Sequence, residues 1–408
     1  MGYSGEINFD GLIGPTHNYA GLSQGNLASQ KHLNQTSNPQ AAALQGLDKM
    51  RIIMEQEIPQ GFFLPHERPN LITLRGLGFG GTDEEVIRRV AKQDTALLKN
   101  VYSASSMWAA NAATFSPSID SYDQRIHITP ANLNTMFHRS IEPEFTKMQL
   151  QLMFGSIANI HGPVSNISGY GDEGAANHLR VTAQHLKPGF QIFVYGNSAF
   201  DSNQGVIARQ AQEISQAVAA QHQLDPDLTL FLKQNNLAIE SGSFHNDIVS
   251  LANEEVFIFH QEAFADRVEL ERVLHHLKEH IKGFHPIEIL SADISLDDLV
   301  SSYLLNSQLI TLENNQMMML LPEEVQNHSN CMRWLDEIKS SSPIKLIEFV
   351  DIRQSMMNGG GPACLRFKTV VNDEEFSQVN QKFLLNPKKL MDLRSLVSKH
   401  YRDNLSLK

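Results

Sequence analysis

A hairpin, a helix and a strand recur in the same order in the second half of the chain, and this limits the fold more than any other feature. Asp247 to His260 reads as two strand-like stretches turning near Asn253, followed by helical spacing over 261–282 and a strand from Ile287 to Leu290. Ser307 to Leu321 repeats the hairpin with a turn near Asn314, then a helix over 322–340 and a strand from Lys345 to Val350. The two turns stand 61 residues apart. Units of this kind pack against their neighbours, so the spacing predicts a modular α/β array closed into a ring rather than divided into independent domains.

Upstream, Ile7 to Leu12 reads as a short strand running into a long loop, 14–29, too rich in Gly, Asn and Ser for a regular element. Asn38 and Pro39 supply a cap and a first-turn proline for a helix to about Gln56, and 59–69 reads as irregular. Arg125 to Leu133 alternates as a strand, and 142–154 is a helix. A second polar, glycine-rich loop covers 169–178, followed by a buried strand from Phe190 to Tyr195. An amphipathic helix over 205–222 carries Arg209 in its first turns, and another closes the chain from Pro387 to Asn404.

Two motifs suggest chemistry that their surroundings do not support. Gly76, Gly78 and Gly81 match the dinucleotide pattern G-x-G-x-x-G, but no acidic residue ends a second strand near 96–102, so a turn and a helix start capped by Thr82 and Glu85 is expected. His276, Glu279 and His280 match H-x-x-E-H, yet Glu269, Glu271, Arg272 and Lys278 make this a solvated helix face, and no metal is expected.

The net charge of -12 and the lack of any basic stripe argue against a nucleic-acid surface. No apolar run approaches a membrane span, and no leader pattern opens the chain. Cys331 and Cys364 offer no disulfide framework and suit the cytoplasm. Cys331 has helical spacing with Trp334, Leu335 and Ile338, which reads as core.

Cys364 is different. It ends the run Asn358–Gly359–Gly360–Gly361–Pro362–Ala363 and precedes a strand-like stretch, Leu365 to Val371. Three glycines expose backbone that a ligand can approach, and a strand mouth holds a thiol rigidly, as a nucleophile requires. His245 and Asp247 open the first hairpin, and a strand period of two would place both on one face as base and anchor.

Seven collinear stretches carry a resemblance: Asn8–Gly11, Thr16–Ser23, Pro65–Pro69, Asn132–Ser140, Gly171–His178, Phe244–Asp247 and Asn358–Cys364. Through them the chain resembles the N-succinylarginine dihydrolases, a family of the guanidine-modifying, or pentein, superfamily. The resemblance implies a single catalytic domain over 1–408, an α/β propeller of five ββαβ-like modules with five-fold pseudosymmetry. It implies Cys364 as nucleophile, His245 as general acid and base, and Glu173 as the acid that orients the histidine. Substrate contacts would fall on Ala20, Gly21, Leu22, Ser23, Gln24, Gly25, Asn26, Leu27, Ala28 and Ser29, and on Asn111, His138, Arg139, Arg209, Asp247 and Asn358. Gln24 departs from the aromatic residue expected there. The implied partner is a small molecule, N2-succinylarginine, with no cofactor, no nucleic acid and no membrane, in a cytoplasmic homodimer. On the same fold, a deiminase, an amidinotransferase or a non-catalytic binding protein are the alternatives.

Overall fold

The computed structural model describes residues 3–23, 25–167, 169–200, 208–312 and 315–406. Among them, fifteen strands form five three-stranded sheets, all built on one plan. The first strand, β1 (Gly5–Gly11), is a middle strand, pairing in parallel with β2 (Gln60–Phe63) across the helix Pro39–Glu55. The next sheet takes β3 (Ala113–Ser116), β4 (Ile126–Pro130) and β5 (Ala158–Ile160). β6 (His178–Thr182), β7 (Gly189–Tyr195) and β8 (Thr229–Lys233) make the third. β9 (Ser250–Asn253), β10 (Val256–His260) and β11 (His285–Ile289) make the fourth, and β12 (Gln308–Thr311), β13 (Met317–Pro322) and β14 (Ile344–Val350) the fifth. In each of these four the first two strands are antiparallel and the third returns parallel to the middle one.

The first sheet lacks an opening strand until the far end of the chain supplies it. β15 (Arg366–Val371) pairs antiparallel with β1, Gly5 opposite Val371 and Asp10 opposite Arg366. The ring is thereby closed by strands from both ends of the chain, and Cys364 is carried to the mouth of the closing strand. This is the closed ring that the hairpin repeat pointed to, and the α/β propeller of ββαβ-like modules that the resemblance implied.

Burial follows the sequence pattern. Met317 to Pro322 is buried at every position, as a middle strand covered on both faces must be. The helix Ser329–Ser341 turns Cys331, Trp334, Leu335 and Ile338 into the same core. Asn38 caps the Pro39 helix through Ala41 N, and Thr82 and Glu85 form the expected capping box ahead of Asp83–Gln93. Charged groups at the centre are paired: Lys49 with Asp10, and Glu6 with Lys368 at 3.4 Å and Arg366 at 3.7 Å.

Several boundaries differ from expectation. Stretch 59–69 contains β2, because Gly61 lets the strand pass beneath Phe9, whose ring a Cβ there would meet at 2.4 Å. The loop after β1 ends in a short helix, Leu27–Lys31, capped by Asn26. The helix expected over 205–222 spans Gln212–Gln221, and Arg209 precedes it, where Ala211 bridges to Asn197. Residues 201–207 and the turn at Asn314 lie outside the described residues.

Candidate active site

Segments far apart in the sequence converge on Cys364. The loop before it follows the helix Arg353–Asn358, and its glycines are there for room. Gly359 has φ +109°, and a Cβ on it would lie 2.1 Å from Asn26 Nδ2, which donates to the Gly359 carbonyl at 2.8 Å. A Cβ on Gly360 would strike the Trp108 indole, and one on Gly361 the Asn306 side chain. Asn306 Oδ1 in turn accepts from the Cys364 backbone N–H at 3.4 Å.

His245 and Asp247 do not share a strand face as expected. A 3-10 turn, Asn246–Ile248, follows His245 and sends the two side chains in different directions. His245 Nε2 lies 3.1 Å from Glu173 Oε2, and Asp247 Oδ2 lies 3.8 Å from the Cys364 sulfur. Both still lie near the thiol, because His245 lines one cavity with Cys364, and Asp247, beside the sulfur, lines a second, larger one.

Glu173 is the electrostatic anchor. It is fully buried and accepts from Arg139 Nη1 at 2.5 Å, from Thr135 Oγ1 at 2.9 Å and from His245. Burial alone would raise its pKa, but the Arg139 guanidinium and the His245 contact outweigh it and hold the carboxyl ionised, well below the usual range. An ionised carboxylate only accepts, so His245 presents Nε2–H to it and keeps Nδ1 for the cavity. Burial pushes His245 down to about 4 despite Glu173, and the imidazole is therefore neutral.

Cys364 is likewise uncharged, as a thiol. Burial raises its pKa well above the ordinary value, and the Asp247 carboxylate adds to the rise. Asp247 is itself pushed up to about 7 by burial, with hydrogen bonds from Asn306 and Cys364 opposing, and its Oδ1 is buried without a partner among the described residues. An acid that is half ionised near neutrality, with one oxygen unmet, fits a cationic ligand that has N–H groups to offer.

The cavity beside Cys364 is lined by Ser23, Asn26, Trp108, Asn111, Arg139, Arg209, Phe244 and His245. Arg139 has two guanidinium nitrogens, Nε and Nη2, buried with no partner among the described residues beyond its Glu173 contact. Arg209 lies 4.0 Å over the Phe244 ring. Asn111 Nδ2 donates to the Glu173 carbonyl at 3.0 Å. An adjoining cavity, sharing Ser23 and Trp108, is lined by Ala20, Gly21, Leu22, Ser29, His138 and Asn358. Burial, with Arg139 and Arg209 nearby, pushes His138 down to about 3, so it is neutral.

The other positions of the 20–29 loop expected to contact substrate stand apart. Leu27 is 51% exposed, the Ala28 carbonyl is taken by His32 Nδ1, and Gly25 lines neither cavity. Gln24 lies outside the described residues. Trp108 and Asn306 were not singled out in the sequence, since neither sits in a motif whose spacing announces a ligand. His276, Glu279 and His280 do bring their ligand atoms within 4.8 Å of one another, on a helix face where two of the three are exposed, and they line neither cavity.

Solved structures share this architecture. The N-terminal domain of ArgZ, an arginine dihydrolase from the ornithine-ammonia cycle in cyanobacteria, bound to product, superposes with a TM-score of 0.57 at 13% identity, over 90% of this chain and 98% of that one. DDAH from Pseudomonas aeruginosa, as a mutant complexed with citrulline, does so with a TM-score of 0.51 at 12% identity, over 90% of this chain and 100% of that one. The fold is thus that of the penteins. Sequence narrows it further: the family model described as succinylarginine dihydrolase matches residues 3–408. The N-succinylarginine dihydrolases of Idiomarina loihiensis and Aeromonas hydrophila are 44% and 45% identical, each covering 98% of this chain and 92% of the relative. The chain belongs to the succinylarginine dihydrolase family.

Proposed function

We propose that this protein hydrolyses N2-succinyl-L-arginine with two waters to N2-succinyl-L-ornithine, carbon dioxide and two ammonia, in arginine degradation. The observation that carries the reading is one cavity wall holding the Cys364 thiol and a histidine fixed by a buried, ionised Glu173. A guanidinium carbon is a poor electrophile, so the group must be fixed by a carboxylate, attacked by a soft nucleophile and relieved of nitrogen by an acid.

Asp247 takes the guanidinium, whose charge offsets its own effect on the thiol. Cys364 passes its proton to His245 Nδ1, and the sulfur bonds to Cζ. The resulting imidazolium, steadied by Glu173, returns the proton to a departing nitrogen, and ammonia leaves as the C–N bond breaks. His245 then takes a proton from water, whose oxygen attacks Cζ and expels the sulfur, leaving a ureido group. A second round releases the second ammonia and a carbamate, which loses carbon dioxide. Arg139, Arg209 and the donors of the 20–29 loop hold the substrate's carboxylates at the other end.

The chain acts as a single catalytic domain over 1–408, a cytoplasmic homodimer without cofactor. The pairing of β1 with β15 supports a single unit, and no helix among the described residues is long and apolar enough to cross a membrane. Incubation with succinylarginine and with arginine, followed by product mass and ammonia count, tests the reading. Two ammonia per succinylarginine consumed is the expected result, and one, with a citrulline-type product, would overturn it in favour of a deiminase.

A further inference from the structure

Trp108 has an indole N–H with no acceptor among the described residues. The side chain is 8% exposed and Nε1 is buried, a condition that native proteins avoid unless a ligand or a water completes the bond. The ring lines both cavities of the site, and the Arg139 guanidinium sits 5.9 Å from its centre. Its N–H edge faces the nucleophile's loop: a Cβ built on Gly360 would lie 2.4 Å from Nε1 and 3.2 Å from the Cys364 Cβ. The glycine at 360 brings an indole donor up to the place where the sulfur meets carbon.

An indole nitrogen only donates. The guanidinium of the starting substrate cannot meet it, because its nitrogens carry protons and positive charge. An acceptor first exists at Cζ after one hydrolysis, when oxygen has replaced one nitrogen. We propose that Trp108 Nε1 donates to this new oxygen and so retains the once-hydrolysed, ureido ligand over Cys364 for a second round. This rests on the dihydrolase reading above. In that round the Cys364 sulfur bonds to the ureido carbon, and the C=O electron pair moves onto the oxygen that Trp108 holds. The pair then returns as the C–N bond breaks, and the nitrogen leaves as ammonia with a proton from His245. Water, giving a proton back to His245, displaces the sulfur and leaves the carbamate.

The test is Trp108→Phe, which keeps an aromatic ring and removes the N–H. The ammonia released per succinylarginine consumed should fall from two toward one, with N2-succinylcitrulline appearing free in solution. Because the smaller ring could loosen the site, the same change is also made in a Cys364→Ser protein, and binding is measured by calorimetry. Affinity for N2-succinylcitrulline should drop about tenfold, the size of one buried hydrogen bond, while affinity for succinylarginine stays within about twofold. Two ammonia from the Phe variant with no free citrulline-type product, or equal loss of both affinities, would overturn the proposal. Failure of the wild-type protein to release two ammonia would instead be failure of the dihydrolase reading.

Discussion

Glu173→Gln removes one charge from a fully buried cluster and leaves the shape of the side chain intact. Arg139, 1% exposed, would keep its guanidinium without the carboxylate that now accepts from it at 2.5 Å. Breaking a buried pair from one side costs about 3–5 kcal/mol, and the amide oxygen that remains as a neutral acceptor places the expected loss at about 3 kcal/mol. The Gln amide also ceases to demand Nε2–H from His245, so the imidazole loses its fixed tautomer. Turnover should fall by about 10²- to 10⁴-fold, the ordinary contribution of a positioned acid and base. Urea unfolding followed by fluorescence gives the stability change, and ammonia release gives the rate. Adding Arg139→Met to Glu173→Gln should recover part of the lost stability and none of the rate. A single variant less than about 1 kcal/mol destabilised, or one with near-normal turnover, would refute the claim that Glu173 balances Arg139 and orients His245.

The carboxyl of Asp247, pushed up to about 7 by burial, is protonated below that pH and cannot pair with a guanidinium. The value of kcat/KM should therefore fall about tenfold for each pH unit below about 7, a limb that Asp247→Asn abolishes together with most activity. The Cys364 thiol, raised by burial and by Asp247, should react slowly with iodoacetamide at neutral pH, and faster when a slowly hydrolysed guanidinium analogue offsets Asp247; an unchanged rate would count against that coupling. Gly359→Ala meets both a left-handed backbone and the Asn26 side chain at 2.1 Å, so activity should drop sharply with a loss of about 1–3 kcal/mol in stability. Gly25→Ala, with open space at that position, should lose far less despite its own φ of +88°.

Much of the ring was legible in the chain because β9–β10 and β12–β13 are two hairpins of one kind, each followed by a helix and a strand parallel to its middle strand, and the same order of elements holds in β3–β5 and β6–β8. The closing contact was not, since nothing local in Ile7 to Leu12 says that its partner lies at Arg366 to Val371. Cys364 was marked by its glycines, whose use became plain once Asn26, Trp108 and Asn306 were seen pressing against them. The strand reading of His245 and Asp247 failed at the turn Asn246–Ile248, where tertiary contacts override a period of two: Asn246 N is held by Asn177 Oδ1 at 2.9 Å. Glu173, Arg139 and Arg209 have no signature in residue type or spacing alone, and their roles were expected only from the resemblance. Their meaning depends on one buried charge cluster assembled from distant loops.

The central claim is a bond between one sulfur and the guanidinium carbon. Acid quenching of the enzyme during turnover of succinylarginine, followed by peptide mass spectrometry, reads it directly. The peptide containing Cys364 should carry the substrate less one ammonia, and Cys364→Ser should show neither adduct nor product. An unmodified Cys364 peptide together with an active serine variant would contradict the account.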